Sequence, residues 1–300
     1  MASSFYRLLG QRIGNGYETA KGLCRDYFMK FKLPRRGAGA ERVLAASGYN
    51  EALRTPPMSS GPDISLILPA YNEARAIPRT IGEAVQYFAS RGLRYEIIVA
   101  ADGADGTREL VREMARENPA LRAIGGDARR GKGRAIREGV ALAGGAVIGY
   151  ADADNKVPIE EFDKFRPWLE QGIEAVIGTR RGGAPIERPQ PWFRRAGSRG
   201  FLWFMQTIVG LPGINDTQCG FKFFQRAAAQ ELFRRQGIDA YMFDVEILAI
   251  ARRLGYRIQQ VRIRWRDDAD SRLDLVRGNL RNVRDIFRIG LEHRFGGRLS

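Results

Sequence analysis

The chain has 300 residues, enough for one large α/β domain or two small ones, and its 44% hydrophobic content supports a core. Its 49 lysines and arginines against 34 aspartates and glutamates leave a net charge of +15, which calls for an anionic partner: nucleic acid, a phosphate substrate or an acidic membrane surface. One histidine, His293, and two cysteines, Cys24 and Cys219, exclude multi-histidine metal sites, a four-cysteine zinc site and a disulfide framework; a Cys–His nucleophile would need Cys219 to meet His293.

Residues 1–60 read as a basic N-terminal extension and linker. Phe5, Leu8, Leu9 and Ile13 recur at helical spacing among Arg7, Arg12, Lys21 and Arg25, so a short basic amphipathic helix is expected. Glycine, proline and serine then gather near 35–40 and 55–62, a linker composition. No stretch reaches the roughly 18–20 apolar residues of a membrane span, and the first residues lack a signal-peptide core. Any membrane contact is therefore expected to be peripheral.

From Asp63 onward, apolar strands alternate with amphipathic helices. Ile64–Leu68 predicts a buried strand stopped by Pro69, and 74–91 a helix. A second strand at 96–101 ends in the turn-rich Asp102-Gly103-Ala104-Asp105-Gly106, after which Thr107 caps a helix to about Asn118. A short strand at 121–124, a helix at 131–143 and a strand at 146–150 follow. Strand–helix alternation with short links predicts an α/β, Rossmann-like, mostly parallel sheet flanked by helices, with ligands bound at the carboxyl ends of its strands.

Four loops collect at that edge: Pro69-Ala70-Tyr71-Asn72-Glu73, the turn holding Asp102 and Asp105, Arg129-Arg130-Gly131-Lys132-Gly133, and Asp152-Ala153-Asp154. Two aspartates one residue apart after a buried strand need a counter-charge, and Mg²⁺ or Mn²⁺ supplies one while leaving positions for phosphate oxygens. Gly126 to Lys132 spells most of a phosphate-binding P-loop, but Gly133 stands where that motif needs Ser or Thr. The glycines and Lys132 are still expected to serve an anion through free N–H groups at a helix N-terminus.

These strings, with Asp216-Thr217-Gln218-Cys219-Gly220-Phe221-Lys222 and Phe243-Asp244-Val245-Glu246, resemble family 2 glycosyltransferases of the GT-A fold. The resemblance spans roughly Ile64 to Arg272 and points to the polyprenyl-phosphate branch, which contains dolichyl-phosphate β-glucosyltransferase and dolichyl-phosphate mannose synthase. It implies a GT-A domain over 61–272 that moves a hexose, with inversion, from a UDP-glucose or GDP-mannose type donor to a polyprenyl phosphate. It further implies that Pro69, Ala70, Tyr71, Glu73 and Asp102 hold the nucleoside, and that Lys132, Asp152, Ala153 and Asp154 meet the diphosphate. Asp152 and Asp154 would carry the Mg²⁺ or Mn²⁺, and Asp154 and Asp216 stand as catalytic carboxylates. The chain departs from the family pattern in Val-Ala-Ala-Asp-Gly-Ala-Asp, where either Asp102 or Asp105 could meet the base and Asp102 is favoured. Lys156 replaces a metal-binding Gln of the mannose synthases, which leans toward the glucosyl branch. A family 2 enzyme with a soluble acceptor is the alternative.

In the second half, six arginines between 180 and 199 accompany Phe193, Phe201 and Phe204 at helical spacing, with Trp192 and Trp203 close by. That pattern suits a lipid phosphate clamped by guanidinium groups. The family pattern assigns the acceptor phosphate to Arg180, Arg199 and Arg272. A phosphate monoester is already anionic at neutral pH, so its attack needs little proton removal, in keeping with a chain almost without histidine. Asp216, with Asp244 or Glu246, either orients a sugar or caps local structure.

Residues 273–300 read as one amphipathic helix, with Leu273, Val276, Leu280, Val283 and Phe287 on one stripe and Arg277, Arg281, Arg284 and Arg288 on another. That pattern fits an interfacial helix on anionic lipid, at the cytoplasmic side of a membrane. No nucleic-acid reader motif accompanies the positive charge, so nucleic acid is not expected as a partner.

Overall fold

The computed structural model describes residues 61–180, 206–266 and 277–295. The N-terminal extension, the aromatic–arginine segment with Arg199, and Arg272 lie outside the described residues.

The strands are β1 (Ile64–Tyr71), β2 (Tyr95–Asp102), β3 (Leu121–Ile124), β4 (Val147–Ala151), β5 (Ala175–Thr179), β6 (Phe221–Gln225) and β7 (Ile258–Arg262). The helices are α1 (Ile77–Ser90), α2 (Thr107–Glu117), α3 (Lys132–Leu142), α4 (Arg166–Glu170), α5 (Arg226–Arg235), α6 (Phe243–Arg253) and α7 (Arg277–Ile289). Among the described residues these strands form one sheet in the order β3-β2-β1-β4-β6-β5-β7, parallel except at β6, which runs antiparallel to β4 and β5.

Side chains alternate across the sheet, and helices cover both faces. Leu66, Leu68, Ile97, Val99 and Phe223 pack on one face with Phe88 of α1, whereas Ile67, Ile98, Tyr150 and Phe224 pack on the other with Ile136 of α3 and Phe243 of α6. With both faces buried, the strands read as unbroken apolar runs rather than alternating ones.

Pro69 does not stop β1, contrary to expectation. The register of β1 with β4 ends at Ile67–Tyr150, while pairing with β2 continues to Tyr71–Asp102. Pro69 therefore sits where β1 has lost one neighbour, a place where a missing N–H is tolerated. Tyr71 and Asp102 are thereby brought side by side at the carboxyl edge.

Because β6 is antiparallel, its start lies beside the end of β4, with Phe221 opposite Ala151. The Asp216–Gly220 loop thus joins the same edge as the loops after β1, β2, β3 and β4. Behind it, Lys222 is fully buried and donates from Nζ to Asp244 Oδ1 at 2.5 Å and to the Cys219 carbonyl at 2.6 Å. The Tyr150 hydroxyl donates to the same Asp244 oxygen. Asp244 and Glu246 of the Phe243–Glu246 string both point inward, at 2% and 1% exposure, so they brace the fold rather than face a substrate.

The C-terminal helix is part of this body. Ile286 and Ile289 of α7 are buried in the same cluster as α6, while Phe287 is 46% and Leu291 65% exposed. Phe287 thus shares the outer face with Arg281, Arg284 and Arg288 instead of marking the packed one. Among the described residues no helix is long and apolar enough to cross a membrane.

Removing one partner of a buried ion pair strands the other charge, at a cost of about 3–5 kcal/mol. Lys222→Met is expected to lose stability of that order in urea unfolding, and adding Asp244→Leu to recover a large part of it. A single variant as stable as the parent chain would contradict the bracing role.

Candidate active site

The β1 and β2 loops are laced together by Asp105. Its Oδ1 accepts the N–H and hydroxyl of Thr107, at 3.0 and 2.6 Å, and its Oδ2 accepts the N–H of Ala74 at 3.0 Å. Thr107 in turn accepts the Glu73 N–H at 3.0 Å. Asp105 is thus spent on shaping the turn, which leaves Asp102 as the carboxylate level with Tyr71. Asp102 is 5% exposed and accepts from Arg130 N at 2.8 Å and Arg130 Nη2 at 3.0 Å. Tyr71 is 42% exposed, and the Arg129 guanidinium lies 4.5 Å from its ring centre. Arg129 also donates to the Tyr241 hydroxyl at 3.2 Å. Pro69, Ala70, Tyr71, Glu73 and Asp102 therefore share one corner with Arg129 and Arg130 of the loop before α3, joined by Tyr241, which nothing in the local sequence singles out.

The α3 N-terminus differs from expectation. The N–H groups of Gly133 and Arg134 donate to the Asp239 carbonyl, at 2.9 and 3.3 Å, so they are not free for an anion. Gly131 has φ +108°, and a Cβ there would stand 2.3 Å from that same carbonyl. The glycines around Lys132 thus let the 236–240 segment approach, rather than cradle phosphate.

What α3 does offer the site is Lys132, whose Nζ lies 2.5 Å from Asp152 Oδ1. Burial disfavours the Lys132 charge, but Asp152 and then Asp244 outweigh it and hold its pKa above the ordinary lysine value. Asp152 is seated over Gly220, where a Cβ would come within 2.1 Å of Oδ2, and its N–H donates to the Gly220 carbonyl at 3.1 Å.

The Asp152-Ala153-Asp154 turn is gripped from α1. Thr80 donates its hydroxyl to the buried Ala153 carbonyl at 2.7 Å, and Asn155, in the left-handed region at φ 58°, donates to Glu83 at 2.8 Å. Asp154 faces outward with a side chain 37% exposed, and Lys156 Nζ stands 3.5 Å from its Oδ2. Burial, and next the charge of Asp152, push the Asp154 pKa above the ordinary aspartate value. A carboxylate held ionised against burial and a like charge is a group that a cation would relieve. Asp154 thus fits a divalent ion whose remaining positions are filled by donor oxygens and water, whereas Asp152 already has Lys132 as its counter-charge.

At the other end, Asp216 is 6% exposed and grips Arg180, accepting Nε at 2.8 Å, Nη2 at 2.9 Å and the backbone N–H at 3.1 Å. Burial opposes the Asp216 charge, yet Arg180 outweighs it and holds the carboxyl below its ordinary pKa. Such a carboxylate is a poor proton acceptor and a good orienting group. Trp265 collects two cations over its ring, Arg180 at 5.0 Å and Lys156 at 5.8 Å. Burial pushes the Cys219 thiol up to about 12, so this cysteine is inert.

The model of glycosyl transferase family 2 matches residues 65–233. A dolichyl-phosphate β-glucosyltransferase of Trichomonas vaginalis is 33% identical over 78% of this chain and 74% of its own. The Homo sapiens dolichyl-phosphate β-glucosyltransferase is 31% identical over 84% and 82%. Among solved structures, mannosyl-3-phosphoglycerate synthase from Rubrobacter xylanophilus superposes with a TM-score of 0.60 at 21% identity, over 80% of this chain and 76% of that one. Glucosyl-3-phosphoglycerate synthase from Mycobacterium tuberculosis, solved with Mn²⁺, UDP and phosphoglyceric acid, superposes at 0.54 with 24% identity over 80% of each chain. The seven-strand order, the converging loops and these likenesses agree: the chain has the GT-A fold and belongs to glycosyl transferase family 2.

Proposed function

We propose that this protein transfers glucose from UDP-glucose to a polyprenyl phosphate of the dolichyl class, with inversion, while seated on the cytoplasmic face of a membrane. The observation that carries this reading is identity of about one third, over three quarters of both chains, with enzymes named for that reaction.

In this reading each end of the site has a task. The Tyr71–Asp102 corner, walled by Arg129 and Arg130, receives the nucleoside. Lys132 and Asp154 face the diphosphate, and Mg²⁺ or Mn²⁺ held by Asp154 would supply positive charge to the departing nucleotide. Arg180, aimed by Asp216 and backed by Trp265, meets the acceptor phosphate, with Arg199 and Arg272 assigned to the same anion. The acceptor oxygen arrives as an anion, so no residue has to act as its base; Asp216, with its lowered pKa, serves as a positioning residue. Phe287 beside Arg281, Arg284 and Arg288, with Leu291 in the turn that follows, gives the C-terminal end an outer face suited to an anionic lipid surface.

Asp154 offers a test in which fold and function separate. Its raised pKa means that the folded chain holds the proton more tightly than the unfolded one. The ionised carboxylate therefore works against folding above that pKa, and this disappears at acid pH, where both states are protonated. Asp154→Asn is expected to melt no lower than the parent at neutral pH, with any gain shrinking on acidification. The same variant should lose the stabilisation that UDP-glucose with Mn²⁺ gives the parent in a thermal-shift assay. Stabilisation of the parent by GDP-mannose and not by UDP-glucose would overturn the donor assignment.

The membrane face has its own readout. Each arginine near an anionic surface contributes about 1 kcal/mol, screened by salt. The protein is expected to sediment with acidic phospholipid vesicles at low salt and to leave them at high salt without detergent. Changing Arg281, Arg284 and Arg288 together to Gln should weaken that binding, and indifference of the parent chain to acidic vesicles at low salt would rule the surface out.

A further inference from the structure

The C-terminal turn Gly290–Phe295 presses the one histidine of the chain against α6, away from the loops described above. The His293 side chain is only 9% exposed, and neither of its ring nitrogens has a hydrogen-bond partner among the described residues. Its Nε2 stands 3.8 Å from Glu246 Oε1 and 3.9 Å from Glu292 Oε2. One ligand atom from each of the three residues lies within 4.8 Å of the other two.

These separations are too long for a hydrogen bond, which spans about 2.7–3.2 Å. They suit two ligands on a shared metal: bonds of about 2.1 Å opened by about 110–135° place ligand atoms about 3.4–3.9 Å apart. The neighbouring arginines contact other atoms of Glu292 than the oxygen that faces His293. Arg288 Nε takes Glu292 Oε1 at 2.8 Å, leaving Oε2 for His293, and Arg253 Nη1 donates to the Glu292 carbonyl at 2.6 Å. Glu246 accepts the Gly237 N–H on Oε1 at 3.0 Å and the Ile238 N–H on Oε2 at 2.8 Å, so its position is fixed while Oε1 keeps a lone pair. His293 also lines a cavity of about 670 Å³ with Gln206, Pro212 and Arg252.

We propose that Glu246, Glu292 and His293 form a second divalent-cation site, of the zinc class, that fastens the C-terminal turn to α6. A neutral imidazole and two carboxylates favour a transition metal or zinc over Mg²⁺ or Ca²⁺. Glu246 also pins residues 237 and 238, just before the Asp239 carbonyl that receives α3, so an ion here stiffens the support beneath Lys132. This site is independent of the glucosyl-transfer reading, and its test does not use activity.

Co²⁺ serves as a visible probe for a site of this kind. Full-length protein carrying Asp154→Asn, which disables the donor site, is titrated with Co²⁺ and followed by visible absorption and melting temperature. The expected result is one tightly bound equivalent, d–d absorption bands and a higher melting temperature, all abolished by adding His293→Ala. Glu292→Ala, at a half-exposed position outside the core, should weaken Co²⁺ by at least about tenfold, the loss seen even for residues one step removed from a metal. Absence of Co²⁺ binding, or binding unchanged by both substitutions, would overturn the site.

Discussion

The Asp152 carboxylate, seated on the Gly220 peptide and met by Lys132, ties three distant parts of the chain into one site. It joins the end of β4, the start of α3 and the loop that leads into the antiparallel β6. Each partner needs a particular neighbour: Gly220 because a side chain would occupy the carboxylate's place, Lys132 because an unpaired aspartate there would be costly, and Lys222 with Asp244 because they hold the Cys219–Gly220 peptide from below. Lys132 meets Asp152 at 2.5 Å, while Asp154 faces outward with Lys156 at 3.5 Å, so the two carboxylates of the Asp-x-Asp turn stand in different surroundings.

That division shapes the chemistry. A glycosyl transfer to an anionic oxygen asks the protein to hold two negatively charged substrates in line and to stabilise the departing diphosphate. The same edge carries three cations, each paired with a carboxylate: Arg130 with Asp102, Lys132 with Asp152 and Arg180 with Asp216. Asp102 and Asp216 lie in the interior and hold Arg130 and Arg180 toward the edge, whereas Lys132 is itself more buried than Asp152. The net charge of +15 is the surplus left after such pairings, in keeping with phosphate substrates and an acidic surface.

Much of this was legible in the sequence where local pattern decides. The strands and helices between Ile64 and Tyr150 follow from apolar runs and helical spacing, and the four loops could be placed on one edge because parallel sheets put them there. Pro69 misleads, because whether a proline ends a strand depends on whether both neighbours are present. The glycines around Lys132 mislead for a similar reason: the carbonyl that occupies the α3 N-terminus belongs to Asp239, more than a hundred residues later. Thr80 and Glu83, which grip the Asp-x-Asp turn, look like ordinary helix residues. Such contacts join elements far apart in the chain and leave no periodic trace. The left-handed Asn155 directly after Asp154 is one signal that a tight, supported turn follows β4.

The account rests most heavily on the identity of the acceptor. UDP-glucose labelled in the sugar is incubated with the protein and Mn²⁺, offered dolichyl phosphate in acidic phospholipid vesicles and, separately, 3-phosphoglycerate in solution. The account predicts label in the organic phase as an acid-labile glucosyl lipid phosphate, formed faster at low salt, and none on the soluble acceptor. Label transferred to phosphoglycerate, with the lipid left untouched, would contradict it.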